Sequence, residues 1–160
     1  MLKLLPLFTP IANFLEGAID SVRDSVIPVK GSVVYCDLAF GYAEHSGIYV
    51  GNNEIVHLNG RGNVEAVSPK EFMRGTTAVN IYVSCEGRYA VGNESIAAFA
   101  KQQLFEYRSY NFLLDNCHMF TSGCLSGNFN NSHSFMWLLK DEAKSRISAD
   151  TWRHWDTDFY

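Results

Sequence analysis

The chain has 160 residues, of which 47% are hydrophobic and 14% aromatic, and its formal net charge is -4. That length buries one core of ordinary size and not two. Lys and Arg lie scattered among more numerous acids, so there is no basic face for nucleic acid or for an anionic membrane. No run of about 18 apolar residues occurs, which excludes a transmembrane helix.

The first residues, Met-Leu-Lys-Leu-Leu-Pro-Leu-Phe-Thr-Pro, form an apolar run that Pro6 and Pro10 interrupt, and no small-residue cleavage site follows, so an export signal is not expected. From Phe8 to Val26 apolar residues recur at three- and four-residue steps, which predicts an amphipathic helix ended by Pro28 and Gly31. Its polar face carries Glu16, Asp20 and Asp24 against Arg23 alone. Packing on the domain, or on a second copy in a homo-oligomer, is therefore favoured over lipid binding.

Segments of strand character follow at Ser32 to Tyr35, Ser46 to Val50, Glu54 to Leu58 and Val79 to Val83, separated by glycine and asparagine turns. They predict one antiparallel sheet. Ser68-Pro69-Lys70-Glu71 has the capping serine, first-turn proline and reciprocal glutamate of a short helix. Asn93 to Tyr107 is helical in pattern, a further helix should begin near Asn116, and Phe135 to Ile147 predicts another after the polar loop Asn128 to Ser132. Trp152, Trp155, Phe159 and Tyr160 make an aromatic tail whose expected use is completing the core. The fold class expected is α+β, a small antiparallel sheet packed on helices.

The chemistry is concentrated in two places. His45-Ser-Gly-Ile-Tyr-Val-Gly-Asn-Asn-Glu-Ile-Val-His57-Leu reads as a β-hairpin with a histidine on each strand. A two-residue turn at Asn52-Asn53 would pair Ile48 with His57 and send the two histidines to opposite faces. A three-residue loop through Gly51, or a bulge, instead sets Gly47 opposite His57 and brings both rings to one face. Tyr110-Asn-Phe-Leu-Leu-Asp-Asn-Cys117-His118 puts a cysteine after the capping residues Asp115 and Asn116. Helix-terminal amides there favour a thiolate, so Cys117 is expected to have a depressed pKa, alone among Cys36, Cys85, Cys117 and Cys124.

Taken singly, a cysteine at a helix start is most often a small core residue, and a strand histidine is most often just a partly buried one. Taken together, they suit a thiol nucleophile with His45 as base and His57 orienting it. His118, next to Cys117 on the helix, is expected to face elsewhere. Cys124, two turns down, reads as core. Tyr35 and Tyr42 lie near the hairpin and could donate to an oxyanion, but sheet packing is the commoner role. One cysteine and two histidines without a carboxylate make a weak zinc set, so no metal or other cofactor is expected. Without a CxxC pair the cysteines point to a reducing compartment rather than a disulfide scaffold.

His45-Ser-Gly-Ile-Tyr-Val-Gly, then Glu54-Ile-Val-His57-Leu, then Asn116-Cys117 resembles the lecithin retinol acyltransferase-like family, over about residues 30 to 125. Lys30-Gly-Ser-Val-Val34 is similar to the family's opening strand. The resemblance implies a circularly permuted papain-like (NlpC-like) fold, and the division expected is a catalytic domain over 30–160 with the N-terminal helix, residues 1–29, added outside the family core. It also implies a catalytic triad of Cys117, His45 and His57 and a lipid ester as acyl donor. The expected setting is then cytoplasmic, peripheral at a membrane. Two departures stand out: Ser46 replaces the tryptophan that often follows the first histidine, and Asn116-Cys117-His118-Met119-Phe120 replaces the common Asn-Cys-Glu-His-Phe. NlpC-type peptidases carry a similar histidine pair, but their cysteine precedes it. A cysteine peptidase or amidase, and a non-catalytic binding module on the same fold, remain the alternatives.

Overall fold

A computed structural model describes residues 24–109, 111 and 116–156. The strands are β1 (Val33–Asp37), β2 (Glu44–Gly51), β3 (Glu54–Leu58), β4 (Val64–Val67), β5 (Tyr82–Glu86), β6 (Tyr89–Ala90) and β7 (Thr151–His154). The helices are α1 (Pro69–Phe72), α2 (Glu94–Gln102), α3 (Cys117–Ser126) and α4 (Met136–Ile147). The strands form one antiparallel sheet in the order β4-β3-β2-β1-β5-β6, and β7 also pairs with β5. The fold class is α+β, as the alternating and helical patterns predict.

Strand alternation divides the interior in two. Val33, Tyr35, Ile48, Val56 and Leu58 face a core closed by Ile96 and Ala100 of α2, Phe120 and Leu125 of α3, and Leu139 and Ala143 of α4. Their neighbours Val34, Cys36 and Ile55 face a smaller cluster with Phe72 of α1, Ile81 and Trp155. α3 lies on β2 and β3, α2 on β2, and α4 on α3. The helix that begins with Cys117 is thus seated on the hairpin strands.

Local signals explain several boundaries. Ser68 and Glu71 form the capping box read from the sequence, and together they hold the single turn of α1. Asn116 caps α3, and Gly127 ends it at φ 76°. The helix expected over Asn93 to Tyr107 stops at Gln102: Phe105 takes φ 71° and Tyr107 bridges to Asn63. The strand expected at Val79 to Val83 runs three residues later, and Val79 is exposed.

The predicted N-terminal helix lies outside the described residues except for its last three. There Val26 makes a parallel bridge to Trp155 and is not helical. Trp152 and Trp155 are buried, one in each cluster, whereas Phe159 and Tyr160 lie outside the described residues. Among the described residues no helix is long and apolar enough to cross a membrane.

Candidate active site

The hairpin combines both turn geometries considered above. Asn52 and Asn53 occupy a two-residue turn with φ 52° and 59°, values asparagine tolerates better than most residues. Beyond it, Gly51 pairs with Glu54, but Tyr49 pairs with Ile55 and Ile48 with Val56, so the strand bulges at Val50. The bulge shifts the register by one residue, and continuing it sets Gly47 opposite His57. His45 and His57 consequently share the face that carries Ile55 and Phe72.

Gly47 keeps the space between them clear. A Cβ there would meet Ile55 Cγ2 at 2.7 Å, Val56 O at 2.8 Å and His57 Cβ at 3.2 Å. With no side chain in the way, His57 Nδ1 reaches His45 Nε2 at 2.5 Å. The rings meet edge to face at 79°, with centroids 4.8 Å apart. Phe72 lies against both, its ring centroid 4.6 Å from that of His45 and 5.5 Å from that of His57. Burial lowers both imidazoles, His45 to about 3 with a further contribution from His57, and His57 to about 4. Both rings are neutral at pH 7.

At its other end His57 Nε2 lies 3.2 Å from Glu65 Oε1, across the β3–β4 ladder. The sequence reading missed Glu65 because it missed β4. Both histidines line a cleft of about 580 Å³ that also takes in Leu38, Arg61, Phe72 and Arg74.

Cys117 is the first residue of α3, as expected, but its surroundings differ from expectation. Asn116 Oδ1 accepts from the backbone N–H of His118 at 2.9 Å and of Met119 at 3.1 Å. Those two amides serve the cap, and the N–H of His118, with those of Ser46 and Cys117, also favours the thiolate. The residue is 3% exposed and is not among those that line the cleft. Burial pushes the thiol up to about 11, against the weaker opposing pull of Ser46 and the local amides. The expected depressed pKa is therefore corrected: desolvation outweighs the helix terminus. Burial also raises Cys36 and Cys124.

Cys117 Sγ packs on the strand that carries His45, 3.9 Å from Glu44 O. Among the described residues no hydrogen bond joins it to His45 or His57. Its imidazole neighbour is His118, whose Nδ1 is 3.9 Å away, so the expectation that His118 faces elsewhere does not hold. His118 Nδ1 is bound at 2.7 Å to Ser46 Oγ, which also meets Thr121 Oγ1 at 3.1 Å. Thr121 Oγ1 in turn donates to Cys117 O at 2.8 Å. This buried network ties α3 to β2. Burial, with the nearby His45, lowers His118 to about 3.

Tyr35 is buried and stacks on Tyr82, and Tyr42 is exposed. Cys124 is buried in the larger cluster. Compared with protein-family models, curated proteins and solved structures, the chain finds no match.

Proposed function

We propose that the protein is a cysteine-dependent acyl hydrolase or acyltransferase acting on a lipid ester, in the manner of the permuted papain-like enzymes that its histidine and cysteine segments resemble. The observation that carries this reading is the hydrogen-bonded His45–His57 pair, with the Cys117 sulfur packed against the backbone immediately before His45. The two departures from the family pattern, Ser46 in place of the tryptophan and His118 in place of the glutamate, are hydrogen-bonded to each other and bear on substrate choice more than on the chemistry.

With a thiol near 11 and an imidazole near 3, the resting site holds a neutral thiol and a neutral base, not a preformed ion pair. The thiol proton passes to His45 as sulfur attacks the acyl carbonyl, and His57 stabilises the imidazolium that forms. His45 then returns the proton to the leaving alcohol as the tetrahedral adduct collapses to an acyl thioester. Water or an acceptor hydroxyl or amine, deprotonated by His45, releases the acyl group and restores the thiol. Exposed Phe40 and Tyr42, on the loop that also brings Leu38 to the cleft, suit an apolar acyl donor, and the cleft's mixed lining of Arg61 and Arg74 beside Glu65 and Glu71 suits a polar headgroup.

Incubation with mixed phospholipid vesicles, followed by acid quench and intact-mass measurement, tests the reading. An acyl-sized adduct on the wild type, absent from Cys117→Ala and His45→Ala, is expected. The near-complete burial of Cys117 favours one rival, a binding module that retains the fold. Lipid binding with neither adduct nor turnover would select that rival, and turnover of peptides alone would select a peptidase.

A further inference from the structure

The pairing of β3 with β4 places a carboxylate at the far end of the histidine pair. Glu65 stands directly across from His57 in the ladder, and its Oε1 lies 3.2 Å from His57 Nε2. The same oxygen accepts from Asn59 Nδ2 at 3.0 Å. Asn59 is itself fixed, since its Oδ1 takes the backbone N–H of Arg61 at 2.9 Å and of Asn63 at 3.1 Å. The β3–β4 turn thus aims its amide at Glu65, and Glu65 at His57.

We propose that Glu65 is a positioning residue that sets the tautomers of both imidazoles and so leaves His45 Nδ1 as the bare nitrogen of the pair. The inference rests on the reading of Cys117 and His45 as the reacting pair. A carboxylate only accepts hydrogen bonds, so the single proton of neutral His57 sits on Nε2. Its Nδ1 is then a lone pair, and the 2.5 Å contact requires His45 Nε2 to donate. Neutral His45 has no second proton, which leaves its Nδ1 basic. Without Glu65 the string can reverse: His57 Nδ1–H donates to His45 Nε2, the His45 proton moves to Nδ1, and that ring can no longer accept from the thiol. One carboxylate thereby controls the competence of a ring it does not touch.

Long-range proton–nitrogen NMR on histidine-labelled protein at pH 7 reads the tautomers directly. In the wild type both His45 and His57 should be the Nε2–H form. Glu65→Ala should populate the Nδ1–H form of both and slow acyl-adduct formation on Cys117 by about tenfold or more, with little change in KM. Glu65→Gln, whose carbonyl can still accept, should restore the Nε2–H form and most of the rate. A wild-type His57 protonated on Nδ1, or an alanine variant with unchanged tautomers and rate, overturns the proposal. Should the alanine variant fail to fold, the wild-type and Gln spectra decide. Because these spectra need no substrate, the expected tautomers without any adduct would sink the acyl-transfer reading and uphold the assignment of Glu65.

Discussion

Replacing Gly47 by alanine tests whether the histidine pair depends on the cleared space opposite His57. The added methyl would lie 2.7 Å from Ile55 Cγ2 and 2.8 Å from Val56 O, well inside the roughly 3.5–4.0 Å optimum for non-bonded carbons. The isoleucine can turn away, but the carbonyl is backbone and cannot. β2 must therefore move off β3 by several tenths of an ångström. Strain of this kind costs about 1–3 kcal/mol, and in a chain of this size each kcal/mol lowers Tm by about 2–4 °C. A fall of roughly 2–12 °C by circular dichroism is expected. The His45–His57 hydrogen bond should lengthen with it and show as shifted imidazole resonances. Gly60→Ala is the control, since a Cβ there meets nothing within 4 Å. A Gly47→Ala protein as stable as that control, with its imidazole signals unmoved, would refute the reasoning.

The Ser46–His118 pair should behave as a unit. Ser46→Ala and His118→Leu each strand a buried polar partner at a cost of about 1–3 kcal/mol, while the double variant should lose clearly less than their sum; strict additivity in urea unfolding would contradict the bond. Acid should destabilise the fold early. His45, His57 and His118 titrate near 3 to 4 when folded and near 6.5 when free, so the unfolded chain binds protons first. Stability is complete above pH 6.5 and falls as pH drops toward those folded values, whereas Asp37, shifted upward by burial, works in the opposite direction at the acid end. Urea midpoints that stay level from pH 7 to pH 5 would count against buried neutral imidazoles.

The local parts of this fold were legible, and its parities were not. The capping box at Ser68 and Glu71 and the cap at Asn116 are each specified by residues within a few positions, and both stand as read. The bulge at Val50 depends on which face of β2 meets α3, a long-range matter, and the sequence alone left two registers open. β4 is only four residues long, Val-Glu-Ala-Val, too short for alternation to single it out, and Glu65 was lost with it. The Cys117 environment reversed for a related reason: proximity to a helix start is visible in sequence, but burial depends on what covers the sulfur. The contact between Ser46 and His118 joins residues 72 positions apart and has no local signature.

Phe72 sits against both imidazoles from the end of a helix only four residues long. That single turn therefore contributes to the burial that lowers the basicity of those rings, and it is itself secured by the Ser68–Glu71 reciprocal cap. Short elements of this kind open on their own far more readily than a domain unfolds. Each such opening would wet the rings and raise their proton affinity toward that of free imidazole. Hydrogen exchange at the α1 amides and the protonation state of the histidine pair are on this account one equilibrium read by two probes.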